Sequence, residues 1–208
     1  MDKGKLLIIS GFSGVGKGTV VKYIQDKYSN YKVSVSATTR NPRENEIDGI
    51  HYHFMTNGQF ESMIEKNQLL EYANYVDHYY GTPREFVETN INNGNNVILE
   101  IETQGALKVK KEKPEAVLVF ILPPDAETLK KRLEGRQTES PEVIMKRLKK
   151  ASEETAFMEY YEYFVINDEI DKCASNINKI ATDTEPELPS EERVREIKDD
   201  ILKFSKGE

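Results

Sequence analysis

The chain has 208 residues, of which 38% are hydrophobic and 31% are charged, as in a globular protein with a well-solvated surface. No apolar run approaches the roughly 18 residues that span a bilayer, the opening MDKGKLLIIS is too short for a secretory signal, and the single Cys173 cannot form an intrachain disulfide. The net charge of −7 argues against a general nucleic-acid surface. We therefore expect a cytoplasmic protein without a membrane or nucleic-acid polymer as partner, in which a local basic cluster holds any anionic ligand.

Short apolar runs alternate with longer segments of helical spacing along most of the chain. Alternation of this kind predicts an α/β fold with a parallel sheet flanked by helices. The runs predicted to be buried strands are Leu6–Ser10, Val33–Ser36, Val97–Ile101, Val117–Leu122 and Phe164–Ile166.

The first predicted strand leads directly into a glycine-rich segment, GFSGVGKGT, at residues 11–19. Gly11, Gly16 and Lys17 match the phosphate-loop pattern G-x-x-x-x-G-K-[ST], but Gly18 stands where the hydroxyl belongs and Thr19 follows one position late. A strand before the loop and a helical pattern after it are the context that the motif requires. The segment therefore indicates a phosphate-binding loop rather than a tight turn with a surface lysine.

Such a loop binds a nucleotide through its backbone N–H groups and the amino end of the next helix, while Lys17 places a cation on the β- and γ-phosphates. Either Thr19 or water replaces the missing hydroxyl at Mg²⁺, or nucleotide oxygens and waters hold the ion. The candidate nucleotide-binding residues are Gly11, Phe12, Ser13, Gly14, Val15, Gly16, Lys17, Gly18 and Thr19.

The segment from about Ser34 to Glu88 differs in composition, since it is rich in Tyr, His, Asn and Thr and contains a helix candidate at Gln59–Lys66. This favours an inserted lobe over a simple crossover. Arg40 and Arg43, three residues apart, could grip a dianionic phosphate with their planar guanidinium groups. The alternative is two solvated loop arginines.

The later part of the chain contains clear helix signals. Asp125 is predicted to cap a helix that ends near Gly135, and Ser140 with Pro141 is predicted to begin the next helix. The polar GRQTESPE between them predicts a mobile connection. A stripe of side chains that faces the core is predicted from the spacing of Ile144, Leu148, Ala151, Thr155 and Met158. A final amphipathic helix is predicted from the spacing of Val194, Ile197, Ile201 and Phe204.

Two carboxylates, Glu100 and Glu102, stand at the carboxyl end of a predicted central strand, which is where open α/β sheets bind ligands. A solvated strand end is the alternative interpretation.

Further segments in chain order resemble the guanylate kinase family: TTRNPR, DGIHYHF, LLEYANY, YYGTPRE, ILEIETQGA and LEGR. With the opening loop, the resemblance runs from about Lys5 to Ile180. It implies a P-loop NTPase core, an inserted mixed α+β lobe that binds GMP, and a mobile lid. It also implies transfer of the ATP γ-phosphate to GMP, with Mg²⁺, to give GDP and ADP.

The resemblance divides one guanylate-kinase-like unit into parts. The core is expected at about 1–33, 89–125 and 151–182, the GMP-binding lobe at 34–88, and the lid at 126–150. Residues 183–208 form a linker and a C-terminal helix.

In the GMP-binding lobe, the resemblance implies that Arg40 and Arg43 hold the GMP phosphate with the hydroxyls of Tyr52 and Tyr80. Glu71 would read the guanine ring, with Ser36 and Thr82 beside it. A carboxylate accepts from both N1–H and the exocyclic amine of guanine, whereas adenine lacks these two donors.

On the ATP side, the resemblance implies that Arg132, Arg136 and Arg147 close over the phosphates and complete a catalytic set with Lys17 and Arg40. Surface pairing with Glu134 or Glu139 is the alternative for Arg132 and Arg136. Asn167 is a candidate contact of the adenine.

The family usually carries aspartates where this chain has Glu100 and Glu102. We expect Glu100 to face Lys17 and, through water, Mg²⁺, and we expect Glu102 to face the guanine or its waters. The separate roles of these two carboxylates stay open at this point.

Three functions are compatible with these patterns. The favoured one is an active GMP kinase with ATP and GMP as its small-molecule partners. The others are a non-enzymatic guanylate-kinase-like module that binds proteins, and a kinase for another nucleoside monophosphate. The residues leave the oligomeric state open.

Overall fold

The structure is a computed structural model that describes residues 3–75, 77–135 and 141–204. Its strands are β1 Leu6–Gly11, β2 Tyr31–Val33, β3 Ala37–Thr38, β4 His53–Phe54, β5 Leu69–Tyr75, β6 His78–Pro83, β7 Asn96–Glu100, β8 Val117–Leu122 and β9 Tyr163–Ile166. Its helices are α1 Lys17–Lys27, α2 Asn57–Glu65, α3 Arg84–Asn92, α4 Thr103–Glu112, α5 Ala126–Glu134, α6 Pro141–Glu154, α7 Ile170–Ala181 and α8 Glu191–Phe204, with a 3₁₀-helix at Thr155–Tyr160.

The strands form two sheets. A five-stranded sheet has the order β2-β7-β1-β8-β9, in which β2 is parallel to β7 and β8 is parallel to β9. A four-stranded sheet has the order β4-β3-β6-β5 and contains both parallel and antiparallel pairs. The predicted α/β fold with a parallel sheet is confirmed.

All five predicted strands correspond to strands of the larger sheet, but the bounds of the second were wrong. The run Val33–Ser36 was predicted, whereas β2 spans Tyr31–Val33. Tyr31 pairs with Asn96, and the last ladder bond runs from the Ser34 amide to the Ile98 carbonyl at 3.0 Å. Pairing with β7, rather than apolar content alone, therefore decides where this strand lies.

The chain divides into two compact units, each described here by itself. The first unit comprises the described residues of 1–7, 30–99 and 104–117, and the second comprises residues 8–29, 100–103 and the described residues of 118–208. The first unit contains the four-stranded sheet and the whole segment 34–88.

The first unit has a small apolar core beneath its four-stranded sheet. Phe60 of α2 is fully buried and stacks on Tyr79 with ring centroids 5.1 Å apart. A capping box fixes the start of α2, because the Thr56 hydroxyl accepts from the Gln59 amide and the Gln59 side chain accepts from the Thr56 amide. The core also contains Ala37, Leu69, Met55, Met63 and Ile64.

In the second unit, aromatic rings and an apolar helix stripe form the core. Phe120 of β8 makes edge-on contacts with Phe12 and Tyr161, each with ring centroids 5.0 Å apart. All members of the predicted stripe of α6 and the following 3₁₀-helix are buried. This packing holds α6 in the core of the second unit, which also carries the glycine-rich loop.

Helix α5 begins and ends where its sequence signals predict. The Asp125 carboxylate accepts a 2.6 Å hydrogen bond from the Thr128 amide at the amino end, and Gly135 ends the helix. The start of α6 at Pro141 also agrees with the prediction. The predicted mobile connection falls on residues 136–140, which lie outside the described residues.

Within the described part of the chain, no helix is both long and apolar enough to cross a membrane.

Replacement of Phe60 by alanine should destabilise the first unit by about 3–5 kcal/mol, because the change removes a buried ring and leaves a cavity. Phe86→Ala is the matched control, since Phe86 is 38% exposed, and it should cost less than about 1 kcal/mol. Urea unfolding followed by circular dichroism measures both. Equal losses in the two variants would show that the Phe60 cluster does not stabilise the protein.

Candidate active site

The glycine-rich loop joins β1 to α1 in the second unit and has the backbone form of a phosphate site. Gly16 caps α1 with φ 94°, a left-handed conformation that side chains disfavour. A Cβ at Gly16 would lie 2.8 Å from the Asn167 amide nitrogen. Both the conformation and the close approach therefore require glycine at this position.

The Lys17 ammonium folds back over the loop. Its Nζ donates to the carbonyl oxygens of Gly11, at 2.6 Å, and Phe12, at 3.2 Å. Burial lowers the pKa of Lys17, while the negative charges of Glu154, Glu100 and Glu102 raise it in part. A lysine cation is thus held at the loop among three carboxylates.

Gly18, the departure from the usual motif, lies in the first turn of α1 beside Glu100. A Cβ at Gly18 would lie 3.6 and 3.7 Å from the two carboxylate oxygens of Glu100, which is ordinary van der Waals contact. Burial raises the pKa of Glu100, and Lys17 lowers it in part. A carboxylate therefore stands next to the position where the motif normally supplies a hydroxyl, while Thr19 is exposed.

Arg132 and Asn167 hold the loop from one side. The Arg132 guanidinium donates to the carbonyl oxygens of Val15, at 3.2 Å, and Asn167, at 2.8 Å. The Asn167 amide also donates to the Val15 carbonyl, at 2.8 Å. Glu134 interacts instead with Lys130 at 3.7 Å, so surface pairing of Arg132 with Glu134 is not what the structure shows.

Helix α6 contributes two further cations to the second unit. Arg147 donates to the Ser13 hydroxyl at 2.8 Å, and Lys150 pairs with Glu102 at 2.7 Å. Glu102 was expected to face the guanine, and its contact in the structure is this ion pair. Arg136 lies outside the described residues, so its expected position in the lid stays a prediction.

Glu154, at the end of α6, is a member of the cluster that the sequence reasoning missed. Only 8% of the residue is exposed, it accepts from the Ser13 backbone, and its Oε2 has no hydrogen-bond partner within the described ranges. Burial raises its pKa to about 7. A signal was available, because Glu154 follows Arg147 by seven and Lys150 by four residues, which places all three on one helix face.

In the first unit, the Arg40 side chain is paired with a residue that the sequence reasoning also missed. Its Nη1 and Nη2 each donate to one carboxylate oxygen of Glu46, both at 2.9 Å, and Glu46 also accepts from the Arg43 amide at 2.7 Å. The Arg40 bonds, followed by the Arg43 amide, lower the pKa of Glu46 to about 2. Glu46 thus fixes both the fork of Arg40 and the loop that carries Arg43.

Aromatic rings surround the same guanidinium. The carbon at its centre lies 5.4 Å from the ring centroid of Tyr52 and 5.8 Å from that of Phe54. Tyr80 adds a hydrogen bond, and the rings of Tyr52 and Tyr80 lie 6.0 Å apart. The structure therefore brings together Arg40, Tyr52 and Tyr80, which were predicted to share one phosphate, while the Arg43 side chain is exposed.

Glu71 and Thr82 face each other across β5 and β6, as their register requires. The hydroxyl of the buried Thr82 donates to a Glu71 carboxylate oxygen at 2.9 Å. Burial raises the pKa of Glu71, and Thr82 and then Lys108 lower it. Ser36 lies just before β3, where its carbonyl accepts from the His53 amide.

The described residues contain no group of three or more His, Cys, Asp or Glu side chains that could hold a metal ion. The carboxylates near Lys17 could contribute to a Mg²⁺ site only if nucleotide oxygens and waters supplied most of the ligands.

Together, a buried strand, a glycine-rich loop, a helix and a lysine held at that loop define a P-loop nucleotide-binding protein. The sequence profile of the guanylate kinase family matches residues 3–184. Guanylate kinase of Caldanaerobacter subterraneus subsp. tengcongensis is 51% identical over 86% of each chain, and guanylate kinase of Clostridium perfringens is 42% identical over 100% of this chain and 93% of its own.

A solved structure gives the same result. The crystal structure of guanylate kinase from Anaplasma phagocytophilum is 30% identical, covers 88% of this chain and 86% of its own, and superposes with a TM-score of 0.69. The chain belongs to the guanylate kinase family, as the motif series predicted.

Two glycines of the loop should respond in opposite ways to alanine. Gly18→Ala should stabilise the protein by up to about 1 kcal/mol, since Gly18 is helical and the added methyl has room. Gly16→Ala should destabilise it, because of the left-handed φ and the 2.8 Å contact with Asn167. Thermal unfolding measures both, and a loss of stability in Gly18→Ala would contradict the placement of Gly18.

Proposed function

We propose that this chain transfers the γ-phosphoryl group of ATP to GMP, with Mg²⁺, and forms ADP and GDP. The observation that carries the proposal is the intact phosphate loop with the Lys17 ammonium held at it. The curated relatives named above are guanylate kinases, and this chain covers most of their length. These findings favour the enzyme over the protein-binding module.

Phosphoryl transfer requires alignment and positive charge more than covalent help from the protein. Lys17 would move from the Gly11 and Phe12 carbonyls onto the phosphates of ATP. Arg132 and Arg147 already touch the loop, through Val15 and Ser13, and would stabilise the charge that spreads over the transferred group. Arg136 is proposed to join them as part of a lid at 126–150.

Arg40 is proposed to bind the GMP phosphate. A guanidinium has five N–H groups, and in Arg40 the two terminal nitrogens donate to Glu46, with Nη1 also donating to the Asn41 carbonyl. The Nε side of the guanidinium is then the edge that suits the incoming phosphate. Glu46 orients this edge, and the hydroxyls of Tyr52 and Tyr80, together with Arg43, complete the proposed site.

Guanine recognition is assigned to Glu71, with Thr82 and Ser36. A buried carboxylate accepts from N1–H and the exocyclic amine, and Thr82 holds one of its oxygens in place. Burial raises the pKa of Glu71, whereas the hydrogen bond from Thr82 and then the charge of Lys108 lower it and so partly favour the ionised form that accepts two hydrogen bonds. AMP would leave the carboxylate without these donors, so discrimination against AMP should be strong.

Mg²⁺, when bound, would neutralise negative charge on the phosphates. Glu100 stands beside Gly18 and is the proposed ligand, through water, with Thr19 as the second candidate. Glu100 reaches one methylene further than the aspartate expected here, and it lies next to a residue without a side chain. The longer Glu100 side chain therefore lies beside Gly18, the position that lacks the usual hydroxyl.

The function is tested by ADP formation from ATP and Mg²⁺ with GMP, dGMP, AMP, CMP or UMP in parallel. Turnover with GMP, and with dGMP, far above the other nucleotides is expected. Higher turnover with AMP, CMP or UMP would show that the protein is a kinase but would reject the assignment of Glu71 to guanine recognition. Absence of turnover in folded protein would favour the binding module.

Glu71→Gln should lower kcat/KM for GMP by about ten- to a hundredfold, because the amide presents a donor where guanine needs an acceptor. Turnover with AMP should change far less. Glu65→Gln, at an exposed position at the end of α2, is the matched control. Equal effects on GMP and AMP would remove Glu71 from guanine recognition.

Thr19→Val tests whether the shifted hydroxyl serves Mg²⁺. The variant should require more Mg²⁺ for half-maximal turnover if Thr19 replaces the missing hydroxyl, whereas Thr19→Ser should behave like the parent protein. Mg²⁺ titrations of initial rate at saturating ATP and GMP give the comparison. An unchanged Mg²⁺ requirement in Thr19→Val would assign the ion to Glu100, water and nucleotide oxygens.

A further inference from the structure

Glu154 combines features that the proposed roles of its neighbours do not explain. It lies at the carboxyl end of α6 with 8% of its surface exposed, and its buried Oε2 has no hydrogen-bond partner among the described residues. It accepts a hydrogen bond from the backbone of Ser13, which is part of the phosphate loop. A buried oxygen without a partner is costly and calls for a functional reason.

Four titratable groups among the described residues interact electrostatically with Glu154. Lys17 faces it from α1, Lys150 from its own helix, and Glu102 from the segment after β7. Tyr161, which follows the 3₁₀-helix, is also close enough to sense its charge. Among the described residues, the positive groups in this set are Lys17 and Lys150, and Lys150 also pairs with Glu102.

Binding of ATP would change this balance. The phosphates are expected to take the Lys17 ammonium for themselves and to bring several negative charges to the loop that Glu154 touches. A carboxylate that loses a cation and gains anionic neighbours is driven toward its neutral form. Because Glu154 is buried, it cannot move into water to avoid the repulsion unless α6 shifts.

We propose that Glu154 takes up a proton from solvent when ATP binds, so that nucleotide binding is coupled to protonation of this buried carboxylate. The inference rests on the proposed function, because it requires ATP phosphates at the loop. Before binding, the carboxylate balances the Lys17 charge; after binding, the neutral acid removes a repulsion from the phosphates. ATP affinity should therefore rise as pH falls through neutrality.

The starting state of Glu154 makes this coupling measurable. Burial raises its pKa to about 7 in the free protein, so about nine-tenths of the molecules carry the ionised form at about pH 8. A phosphate monoester, with a pKa near 6, is already fully ionised there, so the ligand contributes little proton exchange.

Isothermal titration calorimetry with ATP and Mg²⁺, without GMP, tests the proposal. The binding enthalpy is measured at about pH 8 in buffers that differ in ionisation enthalpy, and its dependence on the buffer gives the protons taken up. We expect uptake of at least about 0.4 proton per ATP bound by the parent protein. ATP binding without proton uptake would overturn the inference but leave the proposed function intact.

Two matched variants identify the group. Glu154→Gln should bind ATP with little or no proton uptake, whereas Glu153→Gln, an exposed neighbour on the same helix, should behave like the parent protein. Uptake that persists in Glu154→Gln would assign the proton to Lys17 or Glu100 and reject the role of Glu154. The parent measurement keeps the proposal falsifiable even if Glu154→Gln fails to fold, because ATP binding without proton uptake by the parent protein overturns it.

Discussion

The proposed site of the second unit depends on the interactions that hold the Lys17 ammonium at the phosphate loop. Two loop carbonyls accept from it, and Glu154, Glu100 and Glu102 supply the opposing negative charge. A lysine in this position is stable only because these groups offset its loss of hydration. The shape of this loop depends on its glycines and on the hydrogen bonds of Asn167 and Arg132. These residues therefore help to position the Lys17 cation.

The first unit shows the same principle at Arg40, the proposed phosphate-binding group. Glu46 neutralises the fork of Arg40, and Tyr52, Phe54 and Tyr80 surround the guanidinium. In each unit, one cation that is proposed to meet a phosphate is accompanied by carboxylates of the chain: Lys17 by Glu154, Glu100 and Glu102, and Arg40 by Glu46. This explains how a protein with a net charge of −7 can offer local sites for anionic nucleotides.

Features set by nearby residues in the chain could be predicted from the sequence, and features set by distant pairings could not. The glycine loop, the Asp125 cap and the stripe of α6 depend on short-range spacing, and the structure contains all of them. The bounds of β2 depend on pairing with β7, so apolar content misplaced them. Glu46 and Glu154 are ordinary acidic residues in the sequence, and only the folded chain places them against Arg40 and the loop. The position of Glu100 beside Gly18 likewise brings together residues far apart in the sequence.

ATP binding to Lys17→Met, compared with the parent protein and with Lys22→Met on the exposed face of the same helix, tests the central claim most directly. Methionine keeps the length of the side chain and removes its charge. Calorimetric titration with ATP and Mg²⁺, and with adenosine as a ligand without phosphates, separates charge from shape. The account predicts that Lys17→Met folds, binds ATP at least about tenfold more weakly and binds adenosine as before. Unchanged ATP affinity in the folded variant would contradict the assignment of the loop as the phosphate site.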